Sequence, residues 1–167
     1  MKKLLFLFVA LLLEAKEPTL MFLNTIYSND TLLFRHRQHQ HLCKPYGALS
    51  IDAIYYKKKI NSTCKKAFEQ FIVANPKLQN YAHYQLHEEQ LYRVELYPQN
   101  QCLLFSKGKK TYSQQLIFEG LAIVDPKLKD LEYSFVFQRA YRYAKTNKKG
   151  MWQSPLIRTC IAEMFGK

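Results

Sequence analysis

The sequence contains little glycine, little proline and few acidic residues. Its 167 residues include only five glycines and six prolines, which excludes a fibrous repeat protein. Hydrophobic residues make up 48% of the chain and aromatic residues 14%, which excludes a disordered or low-complexity protein. The length favours one compact domain with a sizeable core and leaves hardly enough chain for two.

The shortage of acidic residues makes the chain strongly basic. Lys and Arg number 25 against 13 Asp and Glu, so the formal net charge is +12. A polyanion is the natural partner of such a chain, and nucleic acid, an anionic membrane face and an acidic glycan all qualify. Basic proteins also carry such charge as a simply solvated surface, and composition alone does not choose between these interpretations.

Long apolar runs are absent except at the N-terminus. Residues 1–15 read MKKLLFLFVALLLEA, in which two lysines precede an apolar run and Ala15 offers a small residue at a cleavage point. This layout predicts a secretory signal peptide and an exported protein, periplasmic or secreted, because the run is too short to span a bilayer comfortably. Cleavage after Ala15 removes two lysines and one glutamate and lowers the net charge only from +12 to +11. An uncleaved anchor is the alternative, because Leu13 is large for its position before the cleavage point.

Closely spaced cysteine pairs are also lacking. The four cysteines are Cys43, Cys64, Cys102 and Cys160, and their wide spacing disfavours a zinc site. In an oxidising compartment they predict two disulfides, with four buried free thiols as the alternative. Four cysteines allow three connectivities. We favour Cys43–Cys64 with Cys102–Cys160, because the second bond would fasten the C-terminal extension, residues 154–167, to the rest of the domain.

The order of the periodic segments predicts a small α+β domain. Helical spacing of apolar residues predicts helices over residues 64–73, 112–121 and 131–145. Alternating patterns predict strands over residues 31–34, 48–51, 84–86, 91–96 and 102–105. The polar stretch over residues 35–41 predicts a hairpin loop exposed to solvent.

Four short motifs, in order along the chain, resemble those of the thermonuclease (staphylococcal nuclease-like) family. The segment YSQQLIFEGLA over residues 112–122 is similar to a helix of that family, and RAYRYAKTNKKGMW over residues 139–152 is similar to its last helix. The turn at residues 28–31, SNDT, resembles the family's D-G-D-T, and IDAIY at residues 51–55 resembles its I-D-A-P-E. The resemblance covers roughly residues 24–153 and places one domain over residues 16–153.

This resemblance implies both a fold and an activity. The family fold is a five-stranded OB-type β-barrel with three helices, and the family cleaves phosphodiesters with the help of calcium. The resemblance places the metal site on Asp30, Thr31 and Asp52. Carboxylate oxygens are ligands that calcium prefers.

The residues that the resemblance assigns to catalysis are replaced in this chain. The glutamate that handles the attacking water falls on Tyr55, and the two arginines that grip the phosphate fall on Gly47 and Glu89. A tyrosine carries no carboxylate, glycine carries no charge, and a glutamate repels phosphate. Because one charged contact commonly contributes orders of magnitude to a rate, three replacements predict an impaired enzyme.

Other basic and aromatic residues offer alternative roles. Four cations near these positions are candidates for binding nucleic acid, or for replacing the lost arginines in another register: Arg35, Arg37, Lys44 and Arg93. The histidines His36, His39 and His41 form either a transition-metal site, a contact to a nucleic-acid backbone or a solvated loop. Three tyrosines interleaved with cations suit base stacking, or belong to an ordinary core and surface: Tyr55, Tyr56 and Tyr92.

Three hypotheses about function follow. The first is an exported thermonuclease-like module that binds nucleic acid or another polyanion without efficient catalysis. The second is an active metal-dependent nuclease whose cations are rearranged. The third is a protein-interaction module of the cell envelope.

Overall fold

The computed structural model describes residues 18–57 and 60–166. The predicted signal peptide, residues 1–15, lies outside the described residues. The strands are β1 (Thr19–Ser28), β2 (Thr31–His36), β3 (His39–Pro45), β4 (Ala48–Ser50), β5 (Leu91–Tyr97), β6 (Gln101–Lys107), β7 (Lys110–Thr111) and β8 (Ala122–Val124). The α-helices are α1 (Ile51–Tyr55), α2 (Ser62–Ala74), α3 (Pro76–Gln79), α4 (Tyr81–Gln85), α5 (Tyr112–Phe118), α6 (Leu131–Thr146) and α7 (Pro155–Phe165), with a 3₁₀ turn at Gly150–Gln153 between the last two.

Five of the strands form a closed barrel of the OB type. Antiparallel pairing joins β3 to β2, β2 to β1, β1 to β5 and β5 to β6. A short parallel ladder between β3 and β6 closes the wall, with Lys44 opposite Gln101 and Pro45 opposite Cys102. The α+β class and the five-stranded barrel are therefore confirmed. The described residues form seven α-helices and not three. The apolar periodicity did not mark the short helices α1, α3 and α4 in the connections, or the eleven-residue α7 in the C-terminal extension.

Alternation of side chains explains why these segments form a barrel. In β1, Met21 and Leu23 point into the core while Leu20 and Phe22 face outward. Successive side chains of a strand point to opposite faces, so each strand fills the interior with every second residue. Inward-pointing Phe34 of β2, for example, is completely buried.

The three predicted helices are present as α2, α5 and α6. By contrast, residues 84–86 are not a strand: Tyr84 and Gln85 end α4. The short alternation at this point is too brief to distinguish a strand from one helical turn, and the chain before β5 packs against the β1–β2 turn as helices.

The two most specific motifs meet in the core. Met151 donates its backbone N–H to the carbonyl of Gly120 at 3.0 Å, and a Cβ added to either Gly120 or Gly150 would collide with the backbone of the other segment. Trp152, completely buried next to this contact, packs edge-on against Tyr141. The EGLA and GMW motifs are therefore the two sides of one close packing contact that joins α5 to the end of α6.

Two disulfides are present, but the predicted pairing is wrong. Cys43 is bonded to Cys102, which joins β3 to β6 at the closing ladder, and Cys64 is bonded to Cys160, which joins α2 to α7. The Cα atoms lie 5.4 and 5.6 Å apart, within the ordinary range for disulfides. Barrel closure decides the pairing, since it brings together cysteines that are far apart in sequence. No helix in the described part of the chain is long and apolar enough to span a bilayer.

Candidate functional site

Two carboxylates that are 22 positions apart in sequence lie near enough to each other to interact electrostatically. Asp30 lies in the β1–β2 turn, where its Oδ1 accepts hydrogen bonds from Ser28 Oγ at 2.7 Å and Thr31 Oγ1 at 3.0 Å. Asp52 lies in the first turn of α1, whose start is fixed by Ser50 Oγ accepting from the backbone N–H of Ala53. We call Asp30 and Asp52 the carboxylate pair.

The electrostatics of the carboxylate pair favour an added positive charge. Burial raises the pKa of Asp52 to about 6, and the nearby charge of Asp30 contributes to the rise. The pKa of Tyr112 is also raised, first by burial and then by the charges of its neighbours, which include both aspartates. Its hydroxyl is buried and has no hydrogen-bond partner among the described residues. A cation bound here would relieve the repulsion between the two carboxylates.

The turn that carries Asp30 is anchored by its neighbour Asn29. The side chain of Asn29 donates to the carbonyl of Leu78 at 2.8 Å and accepts from the backbone N–H of Ala82 at 2.8 Å. Asn29 is thus buried against α3 and α4, and the position where the resembled family has a glycine holds a docking residue instead. These two hydrogen bonds fix the position of the turn that carries Asp30 relative to α3 and α4.

The donor set fits only a weak site for a hard cation. Calcium takes six to eight oxygen ligands, and the pair offers two carboxylates with the hydroxyl of Thr31 next to Asp30. Within residues 18–57 and 60–166, no cluster of three or more His, Cys, Asp or Glu could hold a metal ion. Backbone carbonyls and water would have to complete the coordination of Ca²⁺.

The position to which the resemblance assigns the catalytic glutamate holds a residue whose side chain is hydrogen-bonded to another helix. Tyr55 ends α1 and donates its hydroxyl proton to Glu69 Oε1 of α2 at 2.6 Å, and this hydrogen bond is the main cause of its raised pKa. Lys65 lies 5.1 Å from the centre of its ring. The side chain of Tyr55 is therefore a surface link between α1 and α2.

Gly47 has a structural reason to be glycine. Its φ is +69°, and a Cβ at this position would lie 2.9 Å from Phe137 Cε2 and 3.0 Å from Leu128 Cδ1. The residue is buried between β3 and β4 under α6. An arginine therefore does not fit at the position where the resemblance places the first phosphate-binding residue.

Glu89, at the position of the second arginine, lies in an exposed turn before β5. Its φ is +64°, and its backbone N–H donates to the carbonyl of Leu23 at 2.7 Å. The neighbouring Glu88 accepts from the backbone N–H of Ile26. Both acids hold the turn against β1, and neither supplies a positive charge.

Two of the predicted nucleic-acid-binding cations lie together on the outer face of the barrel. Arg35 of β2 is directly opposite Phe22 of β1, and its guanidinium carbon lies 5.9 Å from the ring centre. Arg93 of β5 is opposite Phe105 of β6 at 5.2 Å. We call the outward surface of these strands the arginine face; it comprises Leu20, Phe22, Arg35, Leu91, Arg93 and Phe105.

The remaining predicted cations lie around the β2–β3 hairpin. Residues 35–41 are not a loop, because β2 and β3 continue to a turn of only two residues, at Arg37 and Gln38. Arg37 is exposed there with a φ of +54°. Lys44 is exposed near the other end of β3. This stretch has the basic and polar composition of a loop, but its residues continue the paired strands β2 and β3 up to the turn.

The histidines lie on this extended hairpin. His36 is directly opposite His39, and its Nδ1 lies 3.1 Å from the carbonyl oxygen of Leu20. His41 is opposite the buried Phe34. Among the described residues no group of three or more potential metal ligands occurs, so the transition-metal alternative for these histidines gains no support from such a cluster.

The structure also contains a cleft that the sequence did not indicate. A cavity of about 860 Å³ lies between α4, the β6–β7 hairpin, α5 and α6. Its cations are Lys107, Lys110 and Arg139, and its single carboxylate, Glu119, is bound by Lys149 Nζ at 3.1 Å. We call this cavity the helical cleft. The one local sequence signal for it is the basic turn KGKK at residues 107–110, because the other lining residues come from three separate helices.

Comparison with known proteins gives no assignment for this chain. No protein family and no curated protein produces a significant match to the sequence. The thermonuclease-like resemblance therefore stands on the four motifs, and the barrel agrees with the fold that it implies.

Proposed function

We propose that this chain is an exported, thermonuclease-like protein that binds single-stranded nucleic acid on the arginine face and cleaves it poorly or not at all. The observation that carries the proposal is the position of Arg35 and Arg93. These two arginines come from strands on either side of β1, and each lies over an aromatic ring on a shared outward surface. Two disulfides are compatible with export.

The arginine face combines charge with apolar surface. Phe22 is 42% exposed, Leu20 57% and Leu91 53%, so apolar side chains remain open to solvent between the two arginines. Guanidinium groups recognise phosphate through planar arrays of donors, and aromatic rings stack on bases of any sequence. This combination favours a single strand, whose bases are free to stack, over a duplex.

Catalysis is expected to be weak because the acids and the arginines are separated. Asp30 lies in the β1–β2 turn, whereas Arg35 lies about 16 Å further along β2, opposite Phe22, and Arg93 lies opposite Leu20. Charge stabilisation on a reacting phosphate usually contributes several kcal/mol to catalysis. The residues at the three expected catalytic positions, Gly47, Tyr55 and Glu89, supply none of it.

The test measures binding of a labelled single-stranded 12-mer of DNA or RNA to the mature protein. Fluorescence anisotropy gives the affinity at several salt concentrations from low to high. The double variant Arg35→Gln/Arg93→Gln should weaken binding about 100-fold at low salt and flatten the salt dependence. The matched control Lys127→Gln/Arg158→Gln removes two exposed charges elsewhere and should change affinity less than about threefold.

Three outcomes would contradict the proposal. Equal losses in both double variants would mean that only net charge matters. If heparin competes as well as the unlabelled oligonucleotide, and Phe22→Leu does not change the affinity for heparin, the site is a generic polyanion site. No binding at low salt would favour a protein-interaction role in the envelope.

A second candidate function is metal-dependent phosphodiester cleavage, and the convergence of Asp30 and Asp52 favours it. Incubating single- and double-stranded DNA and RNA with calcium, magnesium, manganese or chelator tests this candidate. Metal-dependent cleavage that disappears in Asp52→Ala would make the chain an active nuclease. Absence of cleavage with retained binding supports the first proposal.

A further inference from the structure

The helical cleft has the composition of a site for a small anionic ligand. Three cations line it against one carboxylate, and the paired Lys149 already neutralises that carboxylate. The volume of about 860 Å³ lies in the range of about 300–1,000 Å³ that ligand pockets occupy. The arginine face lies on the outside of the barrel, and none of its residues lines this cleft.

The cations come from two different elements that line the cleft. Lys107 and Lys110 belong to the β6–β7 hairpin, and Lys107 Nζ donates to Gln85 Oε1 of α4 at 3.1 Å, which holds the hairpin next to the helix. Arg139 lies on α6 and lines the same cleft. A phosphate between them could accept from both elements at once.

Aromatic rings line the same cavity. Phe118 of α5 and Tyr143 of α6 are stacked, with ring centres 4.3 Å apart and planes inclined by 7°. Tyr81 and Phe135 also contribute to the lining, and 68% of Phe135 is exposed. Because Tyr143 is also 42% exposed, Phe135 and Tyr143 leave ring surface in the same cavity on which a flat heteroaromatic ring can stack.

We propose that the helical cleft binds a nucleoside monophosphate, with the phosphate held between Lys110 and Arg139 and the base against the aromatic wall. Neither the cations nor the rings alone select this ligand class. Their combination in one cavity does, because a nucleotide is both anionic and planar. The nucleotide is either free or the terminal residue of a strand, and the two sources share this chemistry.

Calorimetric titration of the mature protein with AMP, adenosine, inorganic phosphate and a 5′-phosphorylated dinucleotide tests the proposal. AMP should bind at least tenfold more tightly than adenosine or phosphate. Lys110→Gln and Arg139→Gln should each weaken AMP binding about tenfold. The matched control Lys109→Gln removes the same charge from an exposed hairpin residue outside the lining and should change it less than about twofold.

A third variant separates the ring from the charge. Tyr143→Leu should weaken binding of AMP but leave binding of phosphate unchanged, and melting temperatures will show whether each variant is folded. Equal loss in Lys109→Gln and Lys110→Gln, or AMP binding no tighter than phosphate, would overturn the proposal. A dinucleotide that binds more tightly than AMP identifies a strand terminus as the source, and the reverse identifies the free nucleotide.

Failure of this proposal is distinguishable from failure of the proposed function. Arg35→Gln/Arg93→Gln should leave AMP affinity unchanged, since neither arginine lines the helical cleft. If that double variant abolishes AMP binding, the nucleotide binds on the arginine face and the cleft assignment is wrong.

Discussion

The carboxylate pair and the arginine face belong to the same barrel but carry opposite charge in different surroundings. Asp30 and Asp52 are partly buried and repel one another, which raises the pKa of Asp52 to about 6. Arg35 and Arg93 are exposed, and each lies over an aromatic ring. A phosphodiesterase needs acids, metal and cations around one phosphate. Here the acids and the arginines lie in separate regions of the barrel, and this separation favours binding over cleavage.

The largest combined effect on stability and binding comes from opening the barrel wall that both regions share. Replacing Cys43 and Cys102 by alanine should destabilise the protein by about 4 kcal/mol, because it frees a loop of 59 residues in the unfolded chain. Since this bond joins β3 to β6, single-strand binding and the packing around Asp52 should weaken together. Denaturant unfolding and oligonucleotide affinity measure both effects.

The second disulfide provides the control. Removing Cys64 and Cys160 should destabilise the protein by a similar amount, about 4–5 kcal/mol, but leave oligonucleotide affinity intact under conditions where the protein is folded. Loss of binding in this variant alone would contradict the independence of the arginine face from α2 and α7.

The next effect tests whether a cation fits at position 47, where the resemblance places the first phosphate-binding arginine. Gly47→Arg should lower the free energy of unfolding by about 3 kcal/mol, because the side chain would need a positive φ and would collide with Phe137. Gly108→Arg is the matched control: φ there is +61° with open space around it, so only the backbone term of about 1 kcal/mol applies. A stable Gly47→Arg protein with new nuclease activity would show that the separation is easily reversed.

The α+β class and the main helices could be predicted from the sequence because their signals are local, whereas the five-stranded barrel was implied only by the resemblance of the four motifs. Apolar periodicity marked α2, α5 and α6, and the motifs around Gly120 and Gly150 marked a real packing contact. The disulfide pairing could not be predicted, because barrel closure decides which of the three connectivities forms. The neighbours of Arg35 and Arg93 could not be predicted either, because strand register, which the sequence does not specify, places these arginines opposite Phe22 and Phe105.

Removing one charge from the carboxylate pair should stabilise the protein at neutral pH. The carboxyl of Asp52 keeps its proton up to about pH 6 in the folded chain but loses it near pH 4 when unfolded. The folded state therefore binds more protons in this window, and stability falls as pH rises through it. Asp52→Asn should gain about 1–2 kcal/mol above pH 7, after allowance for solvent screening, and nothing below pH 4.

Calcium gives an independent check on the carboxylate pair. If the pair binds the ion, added calcium should raise the melting temperature of the wild-type protein and not that of Asp52→Asn. Thermal unfolding from pH 3.5 to 8 in calcium or chelator measures both effects. A stability difference between the two proteins that is the same at every pH would contradict the assigned titration.

The smallest expected effect separates the two regions along a single strand. Phe22 and Tyr27 are both exposed aromatic residues of β1, but Phe22 contacts Arg35 whereas Tyr27 lies next to the turn that carries Asp30. Phe22→Leu should weaken oligonucleotide binding about fivefold, roughly 1 kcal/mol for one lost stacking partner, and Tyr27→Leu should change it less than twofold. Anisotropy titrations of both variants at one salt concentration measure the difference. If Tyr27→Leu causes the larger loss, the strand binds near the carboxylate pair, and the division between an acidic region and a basic binding face no longer holds.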